Sequence, residues 1–279
     1  MRRIALPLAL LLIAAGCGGS ETSGPGATET QPPPETGTAT TPEAMASIVV
    51  YFTRGEKVAP VHREVPQTAA VGTAAVTALL EGPTAAERDL DVSSSVPEGT
   101  QLLGLDVADG TATVDLSREF ESGGGTLSMT ARLAELVFTL TQFSTVERVR
   151  LELAGEPVSV FGGEGIVIED PLTRADFPDL TPIILVEQPA LGETVSSPVQ
   201  LSGTASVFEA TLRVRLVGPA GEALWEDTVT ATEGAPGRGT FSVGIPFSAV
   251  GPGAVVAFSP SAADNSEQHK VEVPVELAP

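Results

Sequence analysis

Apolar residues recur at the spacing of one helix face in two segments of the chain. The clearer segment predicts a helix over residues 127–141, whose apolar positions lie at i, i+3, i+4 and i+7. A second helix is predicted over residues 69–80, because Thr68 can cap its first turn and Gly82-Pro83 can end it. Both predicted helices therefore fall in one region of the chain.

Strict alternation of apolar and polar residues predicts strands around these two helices. Asp109-Gly110 is a turn signal between two such segments, so we expect a β-hairpin with Leu103, Leu105 and Val107 on one face. The strands are predicted at residues 48–52, 58–65, 101–107, 111–116 and 147–153. The order strand, strand, helix, strand, strand, helix, strand is typical of an α+β domain, here with two helices on a mixed sheet.

Beyond residue 183 the chain shows alternation without any helical spacing. The strands are predicted at residues 183–186, 195–203, 211–217, 223–230, 239–246, 254–259 and 270–277. Short strands at such regular spacing, separated by turn residues, predict an all-β immunoglobulin-like sandwich. Trp225 is expected to pack in the core of that sandwich.

Two stretches of different composition separate these folded segments. Residues 18–46 contain no Val, Ile, Leu or aromatic residue, so they are predicted to form a disordered tether. Residues 162–182 are rich in Asp, Pro and Gly and are predicted to be a linker. The predicted organisation is a signal peptide (1–16), a lipidated N-terminus with the tether (17–46), the α+β domain (47–161), the linker (162–182) and the sandwich domain (183–279).

The first residues predict export and lipidation. Two arginines at positions 2 and 3 precede an apolar run, and small residues stand just before Cys17. The apolar run spans about 18 Å as a helix, which is short of the roughly 30 Å hydrocarbon core of a bilayer. The segment that ends at Cys17 resembles a lipobox, which implies that Cys17 carries the lipid and anchors the protein on the extracytoplasmic face of the cell membrane. The alternative is an ordinary secretory signal cleaved beside Cys17.

The net charge of the chain limits the classes of partner that it can bind. The formal net charge is −21, so a nucleic acid partner is excluded on electrostatic grounds. Lysine is almost absent, since only Lys57 and Lys270 occur.

The residues from which catalytic and metal sites are built are scarce. His62 and His269 are the only histidines, and no Gly-x-Ser-x-Gly motif accompanies them. No zinc-binding His-Glu-x-x-His, cysteine cluster or phosphate-binding Gly-x-x-x-x-Gly-Lys occurs either. We therefore predict no catalytic, cofactor or metal site and expect a protein that is not an enzyme.

Two further segments are weaker candidates for ligand-binding sites, and each also has a simpler structural interpretation. Gly123-Gly124-Gly125 before a helix can present backbone N–H groups to an anion, but a loop with Thr126 or Ser128 as the helix N-cap is favoured. Calcium can bind carboxylates outside the cell, and candidate groups are Asp106, Asp109 and Asp115 and the turn Asp264-Asn265-Ser266-Glu267. A solvated acidic surface is favoured over a calcium site, because neither group has the spacing of a calcium loop.

Several short strings resemble a known family when they are taken together. In the first folded segment they are Ile48-Val49-Val50-Tyr51-Phe52, Ala78-Leu79-Leu80-Glu81-Gly82-Pro83-Thr84, Val114-Asp115-Leu116-Ser117, Leu127-Ser128 and Gln142-Phe143-Ser144-Thr145-Val146. This segment resembles the GerMN domain of sporulation and spore germination proteins. In the second segment they are Gln188-Pro189, Val199-Gln200-Leu201-Ser202-Gly203-Thr204-Ala205 and Val271-Glu272-Val273-Pro274-Val275. This second segment resembles the immunoglobulin-like domain that accompanies germination-associated proteins.

The resemblance implies an interaction or ligand-binding module and brings no catalytic residues with it. We therefore expect a lipid-anchored, non-enzymatic binding or regulatory module in sporulation, germination or envelope signalling. Its partners are expected to be the membrane, through the lipid on Cys17, and an envelope protein or the cell wall. One alternative is a cell-wall hydrolase or a direct activator of one, and another is a structural envelope protein. The sequence leaves the oligomeric state open.

Overall fold

The computed structural model describes residues 44–68, 70–163 and 165–279. The predicted signal peptide, Cys17 and the predicted tether up to residue 43 lie outside these ranges, so lipidation of Cys17 stays a prediction. Among the described residues, no helix has both the length and the apolar composition needed to cross a membrane.

The α+β domain contains three helices and nine strands within the described residues. In chain order they are β1 (Met45–Arg54), β2 (Lys57–Pro66), α1 (Val71–Glu81), α2 (Ala85–Arg88), β3 (Val92–Ser93), β4 (Leu102–Ala108), β5 (Thr111–Leu116), α3 (Thr126–Leu140), β6 (Arg148–Leu153), β7 (Glu156–Pro157), β8 (Val160–Phe161) and β9 (Ile166–Val167). Short 3₁₀ helices lie at Arg118–Glu121 and Arg174–Asp176.

The strands of this domain form two larger sheets and the small hairpin β8-β9. One sheet has the strand order β2-β1-β3 and is antiparallel. The other has the order β4-β5-β6-β7 and is mixed, because β5 and β6 run parallel. Helices α1 and α3 both pack on β1, and every α3 residue from Ala131 to Leu140 is buried. The predicted α+β class, with two main helices on strands, is confirmed.

Helix α1 begins later than the sequence predicts. It starts at Val71, and its N-cap is Ala70, which makes no side-chain capping bond. The hydroxyl oxygen of Thr68 instead accepts a hydrogen bond from the backbone N–H of Ala70 at 3.2 Å, in a turn that precedes the helix. The predicted end is confirmed, since Gly82 caps the helix and its N–H donates to the carbonyl of Leu79.

The predicted cap of α3 is also wrong. Its N-cap is Gly125, whose extended backbone lies outside the helix, while Thr126 is already helical. The buried guanidinium of Arg132 organises the preceding loop by donating to the carbonyls of Phe120 at 2.6 Å and Gly123 at 3.0 Å. A side chain two turns into the helix therefore fixes the glycine loop, and a cap at Thr126 or Ser128 is not used.

Strand β4 does not present the apolar face that its alternation predicts. Leu103 is 51% exposed and Val107 is 44% exposed, whereas Leu105 is half-buried against the domain core. The pairing of β4 with β5 is irregular between Leu102 and Gly104, and such a bulge disturbs the alternation of side chains between the two faces. Because β4 is an edge strand, solvent is available to the side chains that leave the core.

The segment predicted as a linker is packed onto the α+β domain. Phe177 and Leu180 are buried in the domain core, and Leu172 forms a β-bridge with Val149 of β6. The backbone N–H of Val58 in β2 also donates to the carbonyl of Leu180 at 2.8 Å. The connection between the two domains is thereby fixed to the first of them.

The second domain is an immunoglobulin-like β-sandwich, as predicted. Its strands are β10 (Ile184–Gln188), β11 (Glu193–Val195), β12 (Val199–Ala205), β13 (Thr211–Val217), β14 (Ala223–Thr230), β15 (Gly239–Ile245), β16 (Gly251–Pro260) and β17 (Glu267–Leu277). One sheet has the order β10-β12-β15 and the other the order β11-β17-β16-β13-β14. The inward-facing residues of both sheets form a separate core.

Two details of the sandwich differ from the sequence expectation. The strand predicted at residues 195–203 is two strands, β11 and β12, because Pro198 lies between them and has no N–H for a sheet. Trp225 packs against the core but is only partly buried, since β14 is an edge strand.

Helix α3 also carries a buried acidic group. The Glu135 side chain accepts hydrogen bonds from the Ser94 hydroxyl at 2.7 Å and from the Ser95 backbone N–H at 2.9 Å. Glu135 is completely buried, and this burial raises the pKa of its carboxyl to about 7. The loop after β3 is thus fastened to the centre of the domain through an ionisable group.

Candidate binding cleft between the two domains

The described residues belong to one compact unit, and an apolar contact joins its two domains. Leu185 belongs to β10 of the sandwich, yet its side chain is buried in the core of the α+β domain. Leu191 packs against both cores. The first strand of the sandwich therefore contributes to both domains.

A polar cluster reinforces this junction. Arg174 donates to Glu187 Oε1 at 2.9 Å and to the carbonyl of Phe138 at 3.2 Å. Its guanidinium also lies over the rings of Tyr51 and Phe138, with centroid distances of 5.1 and 4.7 Å. The Tyr51 hydroxyl donates to the same Glu187 oxygen, and burial raises the pKa of Tyr51 above its ordinary value. The packed linker, the first domain and the sandwich thus meet at one carboxylate.

Replacing Arg174 with alanine is expected to lower the free energy of unfolding by about 2 kcal/mol, because partly buried Glu187 loses its cation partner and Phe138 loses a hydrogen bond. Chemical denaturation followed by circular dichroism measures this change. Arg148→Ala is the matched control, since its ion pair with Glu147 is exposed and is expected to contribute under about 0.5 kcal/mol. Equal effects of the two changes would contradict a structural role for the cluster.

His62 lies at the same junction. Its Nδ1 is 3.4 Å from Glu193 Oε2 and its Nε2 is 3.2 Å from the backbone carbonyl of Glu187. Both ring nitrogens therefore face groups of the sandwich domain. Within the described residues, neither His62 nor His269 has a hydrogen bond to a serine hydroxyl.

A cleft of about 410 Å³ opens beside the junction. Three runs line it: residues 57–60 of β2, residues 182–186 leading into β10, and residues 269–273 of β17. Its floor is apolar, with Val58, Leu185 and Val273 all buried. The volume and the apolar floor are those of a site for a small ligand or a short protruding segment of a partner.

The rim of the cleft is cationic. Arg54, Lys57 and Lys270 line it, whereas Glu272 is its only carboxylate among the described lining residues. Lys57 and Lys270 are the only two lysines of the chain, and they come from different domains. In a chain of net charge −21, this local excess of positive charge favours an anionic group.

The rim cations differ in their partners, since Arg54 and Lys57 donate to backbone carbonyls while Lys270 lies near two carboxylates. Arg54 donates to the carbonyls of Leu90 at 3.1 Å and Glu272 at 3.0 Å, and Lys57 donates to the carbonyl of Asp179. The Nζ atom of Lys270 is 3.5 Å from Glu272 Oε2 and 3.9 Å from Glu267 Oε2, and its side chain is about half exposed. Carbonyl partners position a cation without neutralising it, so Arg54 and Lys57 keep their charge available to a ligand.

Among the acidic candidates of the sequence, Asp115 and Asp264 do not line the cleft. Asp115 Oδ1 accepts from the N–H of Gly155 at 3.0 Å, and Asp264 Oδ1 accepts from the N–H of Ser266 at 3.1 Å. Glu267 pairs with Arg215 at 3.0 Å and lies 3.9 Å from Nζ of Lys270, which lines the cleft. Among the described residues, no group of three or more His, Cys, Asp or Glu side chains is arranged to hold a metal ion.

The cleft is not evident from the amino-acid sequence. Lys57 and Lys270 are separated by most of the folded chain, and only the contact between the two domains brings them to one rim. Their rarity was the available signal: two lysines in a strongly acidic chain are conspicuous, but nothing in the linear pattern joins them.

Comparisons with known proteins agree with this two-domain structure. Residues 49–159 match the family Germane, described as sporulation and spore germination. Residues 183–266 match the family Gmad2, the immunoglobulin-like domain of bacterial spore germination. A search of curated proteins finds no significant match.

Three solved structures are similar to parts of the chain. The first GerMN domain of the sporulation protein GerM from Bacillus subtilis is 23% identical over 47% of this chain and 99% of its own, with a TM-score of 0.40. The tandem GerMN domains of the same protein are 17% identical over 73% of this chain and 62% of their own, with a TM-score of 0.41. A putative lipoprotein from Clostridium perfringens is 24% identical over 49% of this chain and 93% of its own, with a TM-score of 0.36. By the two family matches, the chain carries a GerMN-type sporulation and germination domain followed by the immunoglobulin-like domain of spore germination, as the sequence resemblance implied.

Proposed function

We propose that this protein is a lipid-anchored extracytoplasmic binding module that recognises an anionic group of an envelope partner in the cleft between its two domains. The anchoring follows from the predicted lipidation of Cys17. The recognition is supported by one observation above all, which is that both lysines of an acidic chain lie on the rim of an apolar cleft.

The cleft selects a partner by two features together. Its floor offers apolar surface, from which a bound group gains by the removal of water. Its rim offers Arg54, Lys57 and Lys270, which attract a carboxylate or phosphate and repel other cations. An acidic segment of an envelope protein with an apolar side chain next to its charge has both features.

The position of the cleft suits a tethered protein. The described chain enters the first domain at the start of β1, and Arg54 stands at the other end of this ten-residue strand. A strand of that length spans about 30 Å at roughly 3.3 Å per residue. The cleft therefore lies well away from the start of the described chain.

The double change Lys57→Ala with Lys270→Ala is expected to reduce capture of the partner about tenfold. Each change removes one positive charge that attracts the anionic group of the partner to the rim. Capture is measured by crosslinking in living cells with a photoreactive residue at position 183, which lines the cleft and is 38% exposed. Mass spectrometry then identifies what is bound. Cells carrying Cys17→Ala test the anchoring separately, since loss of the protein from the membrane fraction is expected there.

The matched control is Arg118→Ala with Arg148→Ala. This pair removes the same charge from two exposed side chains outside the cleft, so partner capture is expected to remain at the wild-type level. Equal losses in both double variants would point to net charge alone and contradict recognition in the cleft. Failure of the wild-type protein to capture any envelope protein would contradict the proposed function itself.

A further inference from the structure

A second concave surface lies on the sandwich domain. It is a groove of about 720 Å³ between the loop that follows β12 and the turn that joins β16 to β17. His269 lines both this groove and the interdomain cleft, so the two adjoin. The groove is otherwise different in character, because it contains no lysine or arginine among its described lining residues.

An exposed aromatic ring stands in this groove. Phe208 is 72% exposed, which is the highest value among the large apolar side chains of the described residues. Glu209 and Ala210 follow it with positive φ angles of 54° and 55°, a backbone conformation that residues other than glycine rarely adopt. A strained backbone next to an uncovered aromatic ring is typical of a functional surface.

The strained loop is firmly held. The carbonyl of Val207 accepts hydrogen bonds from the N–H groups of Ala210 at 3.2 Å and Ala235 at 2.9 Å. The carbonyl of Ala210 accepts from the N–H of Ala231 at 2.8 Å. These bonds fix the backbone on both sides of Phe208, so the ring is presented to solvent by a rigid loop.

Polar side chains line the same groove as the ring and have unused hydrogen-bonding capacity. The side chains of Glu209, Asn265, Gln268 and His269 line the groove and make no hydrogen bond with other described side chains or backbone. Together they offer amide donors and acceptors, a carboxylate and an imidazole. Such groups match the hydroxyl and amide groups of a ligand better than they match a hydrocarbon surface.

We propose that this groove binds a glycan of the cell envelope. A pyranose ring has one face of C–H groups, which packs on an aromatic ring, and a rim of hydroxyl groups, which exchanges hydrogen bonds with amides and carboxylates. Phe208 supplies the first element, and Asn265, Gln268 and Glu209 supply the second. The acidic groups of the groove disfavour an anionic ligand, so the sugar units are uncharged. The groove rests on observations separate from the interdomain cleft, whereas the choice of an envelope glycan rests on the extracytoplasmic location in the proposed function.

Binding is tested with the mature chain, purified sacculi stripped of anionic wall polymers, and a soluble tetramer of N-acetylglucosamine. The wild-type protein is expected to cosediment with the stripped sacculi and to bind the tetramer. Phe208→Ala is expected to weaken both at least tenfold, Gln268→Ala is expected to weaken them less, and Phe208→Trp is expected to keep them. Val250→Ala is the control, because Val250 is 62% exposed in the same domain but does not line the groove.

Several results would overturn the proposal. Wild-type protein that stays in the supernatant would do so, as would a Phe208→Ala variant that binds as tightly as the wild type. Retention on untreated sacculi that disappears when the anionic polymers are removed would assign binding to the cationic cleft instead. Because Phe208 is exposed, its replacement is expected to leave the fold intact, and the fluorescence of Trp225, the only tryptophan, verifies this.

Discussion

Replacing Gly203 with alanine is expected to destabilise the sandwich domain by about 3 kcal/mol, at the upper end of what overpacking a core does. A Cβ atom at this position of β12 would lie 2.0 Å from the carbonyl oxygen of Leu185 and 3.0 Å from the ring of Phe241. The first neighbour is backbone of the adjacent strand β10, which cannot rotate away. Relief requires β10 to move, and this strand also carries Leu185 into the core of the other domain.

Urea denaturation followed by Trp225 fluorescence measures this effect in the sandwich domain, because this residue is the only tryptophan of the chain. Gly244→Ala is the matched control. Gly244 lies in β15 of the same sheet, and its added Cβ would meet only the flexible end of Gln200, at 3.2 Å. The control is expected to change the free energy of unfolding by under about 1 kcal/mol. Similar losses in the two variants would show that close approach to β10 is not the cause.

The second large effect concerns the pH dependence of stability. Burial raises the pKa of Glu135 from 4.5 to about 7, so the folded protein holds this proton more tightly than the unfolded chain does. The corresponding stabilisation is complete below about pH 4.5 and is lost as the pH rises through about 7. At 1.36 kcal/mol per pKa unit, the total loss is on the order of 3 kcal/mol. Glu135→Gln is expected to remove this part of the pH dependence.

Denaturation at several pH values between 4 and 8, followed by ellipticity at 222 nm, compares the variant with the wild-type protein. Other carboxylates titrate in both proteins, among them Glu87, whose pKa is lowered by its hydrogen bond from Arg63 in spite of burial. The difference between the two curves therefore isolates Glu135. Glu156→Gln in the exposed strand β7 is the control and is expected to follow the wild type. A Glu135→Gln curve parallel to that of the wild type would refute the assignment.

Much of the fold could be predicted from the local sequence pattern, because the spacing of apolar residues shows which face of a helix or strand is buried. The alternation of Val149, Leu151 and Leu153 indicates one buried side of β6, and all three side chains are buried. The helical spacing that predicts α3 likewise corresponds to a helix at the centre of the domain. Such patterns depend only on residues within one helix or strand, so they can be recognised without knowledge of the tertiary structure.

The remainder depended on partners distant in sequence. Leu103 leaves its expected face because of a bulge in the pairing of β4 with β5. The loop before α3 is fixed by Arg132, so a side-chain cap predicted from adjacent residues is absent. The cleft requires Lys57 and Lys270 from different domains, and the groove beside it requires a loop conformation with positive φ at Glu209 and Ala210. None of these arrangements leaves a periodic trace in the sequence.

The placement of Leu185 has a consequence for how such proteins can be recombined. A crossover between domains at residue 182 would supply a foreign sandwich, and the side chain at the position of Leu185 would then be whatever that sandwich carries. A smaller residue would leave a cavity in the first domain, and a larger one would overpack the core to which Phe177 and Leu180 also belong. Exchange of the two modules, in the laboratory or in evolution, is therefore constrained by a residue of one domain that completes the core of the other.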